Sequence, residues 1–157
     1  MIKEYNRLYV AYGSNLNLAQ MAYRCPGATV VGASKLTDYR LLFRGSHGYG
    51  VATVEPCTGH SVPVLLWDIT REHEKELDRY EGFPFLYRKE DIEVVLDGQP
   101  VSAMVYIMNT NEGTRGEFMG LPSNRYFSTI AEGYASAGFN LDVLKEAEEY
   151  SGTGQNK

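Results

Sequence analysis

The sequence predicts an α+β domain built on a barrel-like mixed β-sheet with flanking helices, and three observations predict it. Many short β-rich runs are interrupted by only four helical segments, without the regular strand–helix alternation of a doubly wound fold. An Asp97-Gly98 dipeptide joins two apolar runs in the manner of a tight hairpin. With 157 residues, 43% of them hydrophobic, and no internal repeat, residues 1–157 read as a single domain with one core.

The elements follow in order. Leu8 to Ala11 is a short apolar run that reads as a buried strand entering a tight loop at Gly13-Ser14-Asn15. Asn17 can cap a helix from Leu18 to Arg24, stopped by Pro26-Gly27. Four β-rich runs come next, Thr29 to Ala33, Tyr39 to Phe43, Gly50 to Val54 and Val62 to Trp67, and read as a curled antiparallel sheet. Thr70 caps a second helix, Arg71 to Tyr80, with Glu72 and Glu74 in the first turn and Gly82 as its stop; Leu77 and Tyr80 are expected to face inward together. Strands from Lys89 to Leu96 and Val101 to Met108 flank the Asp97-Gly98 turn. The Asn109 to Pro122 stretch is a long Gly- and Asn-containing loop and a candidate lid. Ser123 and Asn140 cap two final helices, to about Ala137 and Tyr150, and residues 151–157 read as a frayed tail.

Composition limits the partners. A net charge of -5 argues against nucleic-acid binding, which relies on Lys and Arg to neutralise phosphates. No stretch approaches a membrane span and the first residues lack the apolar core of a signal peptide, so the expected partner is a small molecule and the expected compartment cytoplasmic. Cys25 and Cys57 are far apart and read as free thiols; neither they nor His47, His60 and His73 form a metal pattern, and His73 is expected to be a solvated helix residue.

Two segments carry candidate chemistry. At Tyr12-Gly13-Ser14-Asn15-Leu16 a strand turns just before a helix, a geometry that presents unpaired backbone amides to a carboxylate or oxyanion while glycine permits close approach. Ser14 lacks the G-x-S-x-G context of a hydrolase nucleophile. The alternative for this segment is an ordinary turn. At Leu77 to Pro84, Glu81 ends a helix and enters an aromatic turn, where the helix C-terminus and desolvation both disfavour its ionised form, as a general base requires; the alternative is a solvated residue beside a glycine cap. Asp78 reads as surface or as a local acceptor. Tyr87 and Tyr126, each after a Pro-containing loop, can rim a polar pocket or simply pack.

Together, Leu8–Leu16, Gly50–Val54, Leu66–Ile69, Leu77–Gly82 and Pro122–Tyr126, with Gly133-Tyr134 and Gly138 beyond them, resemble the gamma-glutamylcyclotransferase-like (AIG2-like) family over roughly residues 7 to 147. The resemblance implies a compact barrel-like fold with one pocket that acts on gamma-glutamyl compounds and releases 5-oxoproline without metal or other cofactor. It places the glutamyl moiety on the backbone of Tyr12, Gly13, Ser14, Asn15 and Leu16, makes Glu81 the catalytic carboxylate and lines the pocket with Tyr126 and Tyr87. One departure stands out: Val64 occupies a position where many members carry glycine, and a branched side chain there is expected to bear on a pocket wall. A noncatalytic metabolite-binding module, or a cyclotransferase for a gamma-glutamyl amine or biosynthetic intermediate, are the alternatives. The leaving group and the oligomeric state are not legible in the sequence.

Overall fold

A computed structural model describes residues 6–153. Its strands are β1 (Leu8–Ala11), β2 (Thr29–Arg44), β3 (Val51–Asp68), β4 (Tyr87–Leu96) and β5 (Gln99–Met108). Its helices are α1 (Leu18–Arg24), α2 (Arg71–Glu81), α3 (Asn124–Ala137) and α4 (Leu141–Gly152), with a single 3-10 turn at Ser14–Leu16.

The five strands form one mixed sheet in the order β2-β3-β1-β5-β4. Strand β1 sits at its centre, antiparallel to β3 and parallel to β5, so the sheet is mixed as expected, and its β2–β3 part is antiparallel as read. The four β-rich runs read before Ile69 are in fact two long strands. Gly, Pro and polar residues that signalled turns stand instead at bulges, with register shifts between Val30 and Gly32 and between Thr37 and Tyr39, and in an exposed hairpin end. Asp38, at φ 64°, makes the second bulge and accepts the amide of Gly59 at 2.9 Å. These bulges curl the sheet until its edges meet, where Ser34 Oγ donates to the Val95 carbonyl at 2.7 Å. No ladder joins β2 to β4 among the described residues, so the sheet is barrel-like without closing.

Local chemistry sets the helix starts as expected. Asn17, Thr70, Ser123 and Asn140 each accept an amide from their own first turn. Thr70 does more than cap: His73 returns the bond to its amide and holds the Pro26 carbonyl at 2.7 Å through Nε2, so the partly exposed His73 also ties α2 to the α1 exit, a contact the reading as a solvated helix residue did not include. Asp97 and Gly98, at φ 52° and 77°, make the two-residue turn between β4 and β5. Helix α4 runs past Tyr150: Ser151 is buried, donates to the Ala147 carbonyl and accepts the Phe43 amide, both at 2.7 Å. Fraying therefore does not begin at 151, and residues 154–157 of the expected tail lie outside the described residues.

One apolar core gathers β1, the inward faces of the other strands and Met21, Leu77, Ile130, Tyr134 and Leu144 from the helices. Each such side chain contributes roughly 1.5–3 kcal/mol relative to an exposed one. Val64 is fully buried in this core and forms no part of the cavity wall described next. Cys25 and Cys57 are free thiols.

Candidate active site

The parallel pair β1 and β5 ends on the same side of the sheet, and there the chain opens a cavity of about 230 Å³. Its wall is drawn from distant segments: Tyr9 and Val10, Tyr12 to Asn15, Val51 and Ala52, Tyr80 and Glu81, Leu86 and Tyr87, Tyr106, Arg115 and Tyr126. Seven of the eight residues singled out in the sequence meet here. Leu16 does not: it is fully buried, and its backbone passes so close to Gly133 that a Cβ there would lie 2.7 Å from the Leu16 carbonyl carbon.

The loop after β1 presents the amides of Gly13, Ser14 and Asn15, which find no acceptor among the described residues, whereas those of Leu16 and Asn17 close the 3-10 turn onto Gly13 and Ser14. A Cβ added at Gly13 would press on the opposite wall, 3.2 Å from Ala52 Cβ, and would touch the Tyr126 hydroxyl at 3.8 Å, so glycine keeps this part of the cavity open. The Ser14 and Asn15 side chains brace the loop. Ser14 Oγ shares a hydrogen bond with Tyr80 at 3.2 Å and accepts from Arg24 at 3.2 Å, and Asn15 donates to Tyr9 at 2.9 Å while its amide oxygen accepts from Arg24. No histidine reaches Ser14, which leaves it without a base.

Glu81 is the last residue of α2, and the left-handed Gly82 behind it turns the chain away, at φ 65°. Its carboxylate faces the cavity without a hydrogen bond from any described residue. Burial raises its pKa to about 7, and the Arg24 guanidinium opposes the rise without cancelling it. Arg24, at the end of α1, lies 3.2 Å from the centroid of the Tyr80 ring. Tyr80 thus forms the half-exposed lip of the cavity instead of packing inward beside Leu77.

A ring of phenols completes the wall. Tyr12 donates to the Tyr106 carbonyl at 2.7 Å and Tyr87 to the Ala52 carbonyl at 2.6 Å. Tyr126 accepts the Ala52 amide at 3.1 Å, which leaves its own proton free to donate. Burial pushes the phenols of Tyr9, Tyr12, Tyr87 and Tyr126 above their ordinary range, so all are neutral donors at pH 7. Asp78 accepts from Tyr106 at 2.6 Å and from Lys89 at 2.8 Å, a tertiary anchor where a surface or local acceptor was expected. Tyr9, Tyr80, Tyr106 and Arg115 were not legible as wall residues, since Tyr9 and Tyr106 meet through the long-range pairing of β1 with β5, and Tyr80 and Arg115 arrive from α2 and from the loop after β5. Among the described residues no three His, Cys, Asp or Glu side chains are placed to hold a metal.

The fold and cavity define a curled α+β domain that presents one protonatable carboxylate and free backbone amides to a small polar ligand. A family model described as gamma-glutamyl cyclotransferase, AIG2-like, matches residues 9–127, and the chain belongs to that family. The human gamma-glutamylcyclotransferase is 28% identical over 159 residues, covering 92% of this chain and 81% of its own; the bovine one is 27% identical with the same coverage. A crystal structure of an uncharacterized human protein superposes with a TM-score of 0.76 at 26% identity, over 92% of this chain and 87% of the other. A solved structure of a gamma-glutamyl cyclotransferase gives 0.75 at 25%, over 90% and 85%. A yeast cyclotransferase specific to glutathione shares the fold at a TM-score of 0.63 and 12% identity, over 96% and 97%.

Proposed function

We propose that this chain is a gamma-glutamyl cyclotransferase that closes a gamma-glutamyl compound to 5-oxoproline and releases the attached amine or amino acid. The observation that carries the reading is the placement of Glu81, a carboxylate with a pKa near 7, in the same cavity as the unpaired amides of Gly13, Ser14 and Asn15.

In this reading the substrate's α-amine attacks its own γ-carbonyl carbon. A ring C–N bond forms, the γ-amide C–N bond breaks, and no co-reactant is consumed. Because nucleophile and electrophile are tethered, the site has mainly to fold the substrate into a near-attack shape. An α-amine with a pKa of about 8 is mostly protonated at pH 7, so a base must take its proton. Glu81 takes it and returns it to the departing nitrogen, a role that favours a pKa close to the working pH. The free amides of the Tyr12–Asn15 loop hold the anionic part of the glutamyl group or the developing oxyanion, and Tyr126 offers its free phenolic proton. The chemistry needs no cofactor. Measuring 5-oxoproline release from gamma-glutamyl amino acids, gamma-glutamyl amines and glutathione tests it: release from any of them supports the reading, and ligand binding without release from the panel favours a noncatalytic binding module.

A further inference from the structure

Beside the cavity, with Arg115 in the wall of both, lies a second and wider groove of about 860 Å³, lined by Arg44 to His47, Thr114, Arg115, Glu117 to Met119 and Tyr150. Among the described residues Arg115 is the one that lines both spaces. Its guanidinium donates to the Tyr49 carbonyl at 3.3 Å, and no carboxylate among the described residues pairs with it. The acid nearest in sequence on the groove wall, Glu117, is turned to the loop, where it accepts the Gly113 amide at 3.0 Å.

The loop that carries Arg115 is fastened, so the backbone from which this exposed charge extends is held in place. Arg44, itself paired with Glu55 at 2.7 Å, donates to the carbonyls of Gly116 and Glu117 at 3.3 and 3.1 Å. The amides of Gly45 and Gly120 bond to Phe118 and Phe43 across the same seam, at 3.0 and 3.2 Å. A cation positioned before binding loses little freedom when it meets an anion, and a guanidinium matches a carboxylate in a bidentate fork.

Resting on the cyclotransferase reading, we propose that Arg115 is the specificity residue for the leaving group and selects substrates whose departing amine carries a carboxylate. The glutamyl end has its own recognition at the Gly13–Asn15 amides and Glu81. A cation at the junction with the groove therefore falls to the leaving side. The groove behind it is wide, so the side chain of the leaving amino acid is read weakly while its carboxylate is read by charge.

The test compares γ-glutamylalanine with γ-glutamylethylamine, which differ by that carboxylate, in the parent, Arg115→Gln and Arg115→Lys. The readout is the ratio of the two kcat/KM values within each enzyme, so a partial loss of folded protein cancels. The parent is expected to favour γ-glutamylalanine on the order of tenfold, mainly through KM, as suits a charge-assisted contact at an exposed site. The ratio should fall toward one in Arg115→Gln, be partly kept in Arg115→Lys, and shrink in the parent as salt is added. Turnover of both substrates with a ratio that Arg115→Gln leaves unchanged overturns the assignment of Arg115 while the cyclotransferase reading stands. Turnover of neither substrate by the parent overturns both.

Discussion

Tyr87 donates its phenolic proton to the carbonyl of Ala52 at 2.6 Å, while the amide of the same Ala52 is taken up by Tyr126 at 3.1 Å. One residue near the start of β3 is thus gripped from both sides by phenols that arrive on β4 and α3. The cavity wall opposite Gly13 depends on that grip, since Ala52 Cβ bounds the space that a side chain at residue 13 would fill.

Removing one phenol should therefore cost stability before it costs chemistry. Tyr87→Phe leaves a buried carbonyl without its donor and is expected to lose about 1–3 kcal/mol. Urea unfolding at pH 7 measures this, and the loss in kcat should stay well below that of a Glu81 variant.

The Asn109–Pro122 loop crosses the β2–β3 turn where two glycines permit backbone to lie on backbone. A Cβ on Gly50 would fall 2.0 Å from the Gly120 carbonyl oxygen. Gly50→Ala must push the loop outward, with an expected loss of roughly 1–3 kcal/mol from overpacking. It should also displace Arg115, so KM is expected to rise in the same variant whose melting temperature falls. A variant with unaltered melting would contradict the close crossing.

Glu81 should give the enzyme opposite pH dependences for stability and for turnover. Its folded pKa, near 7, lies above the ordinary value of 4.5, so the native state binds its proton more tightly than the unfolded chain does. The resulting stability is complete below about pH 4.5 and is lost as pH rises through 7, by about 3 kcal/mol at 1.36 kcal/mol per unit. Parent minus Glu81→Gln stability, followed by urea unfolding from pH 4.5 to 8, should fall across that window. Over the same range kcat/KM of the parent should rise to a plateau above pH 7, because the base must be ionised to act.

How far the sequence could be read follows from the range of the interactions involved. The four helix caps and the Asp97-Gly98 turn are decided within a few residues, and all took the expected form. The pairing of β1 with β5, in contrast, joins residues almost a hundred positions apart, and no local signal gives its parallel sense. Turn-forming residues misled where a strand absorbs them as bulges, as at Asp38. The same divide runs through the site. Gly13 and Glu81 stand in compact motifs and could be read, whereas Tyr9, Tyr106 and Arg115 reach the cavity only through the sheet and the strapped loop. Leu16 belongs to the motif by spacing yet turns into the core against Gly133.

The central claim is that Glu81 moves the proton in the ring closure. Its direct test is 5-oxoproline release from the best gamma-glutamyl substrate by the parent and by Glu81→Gln, with folding of both checked by urea unfolding. General acid–base help of this kind is worth about 10²–10⁴ in rate. The Gln variant is expected to fold, to be at least as stable as the parent at pH 8, and to have its kcat lowered by that factor. A folded variant that turns over within a few fold of the parent would contradict it.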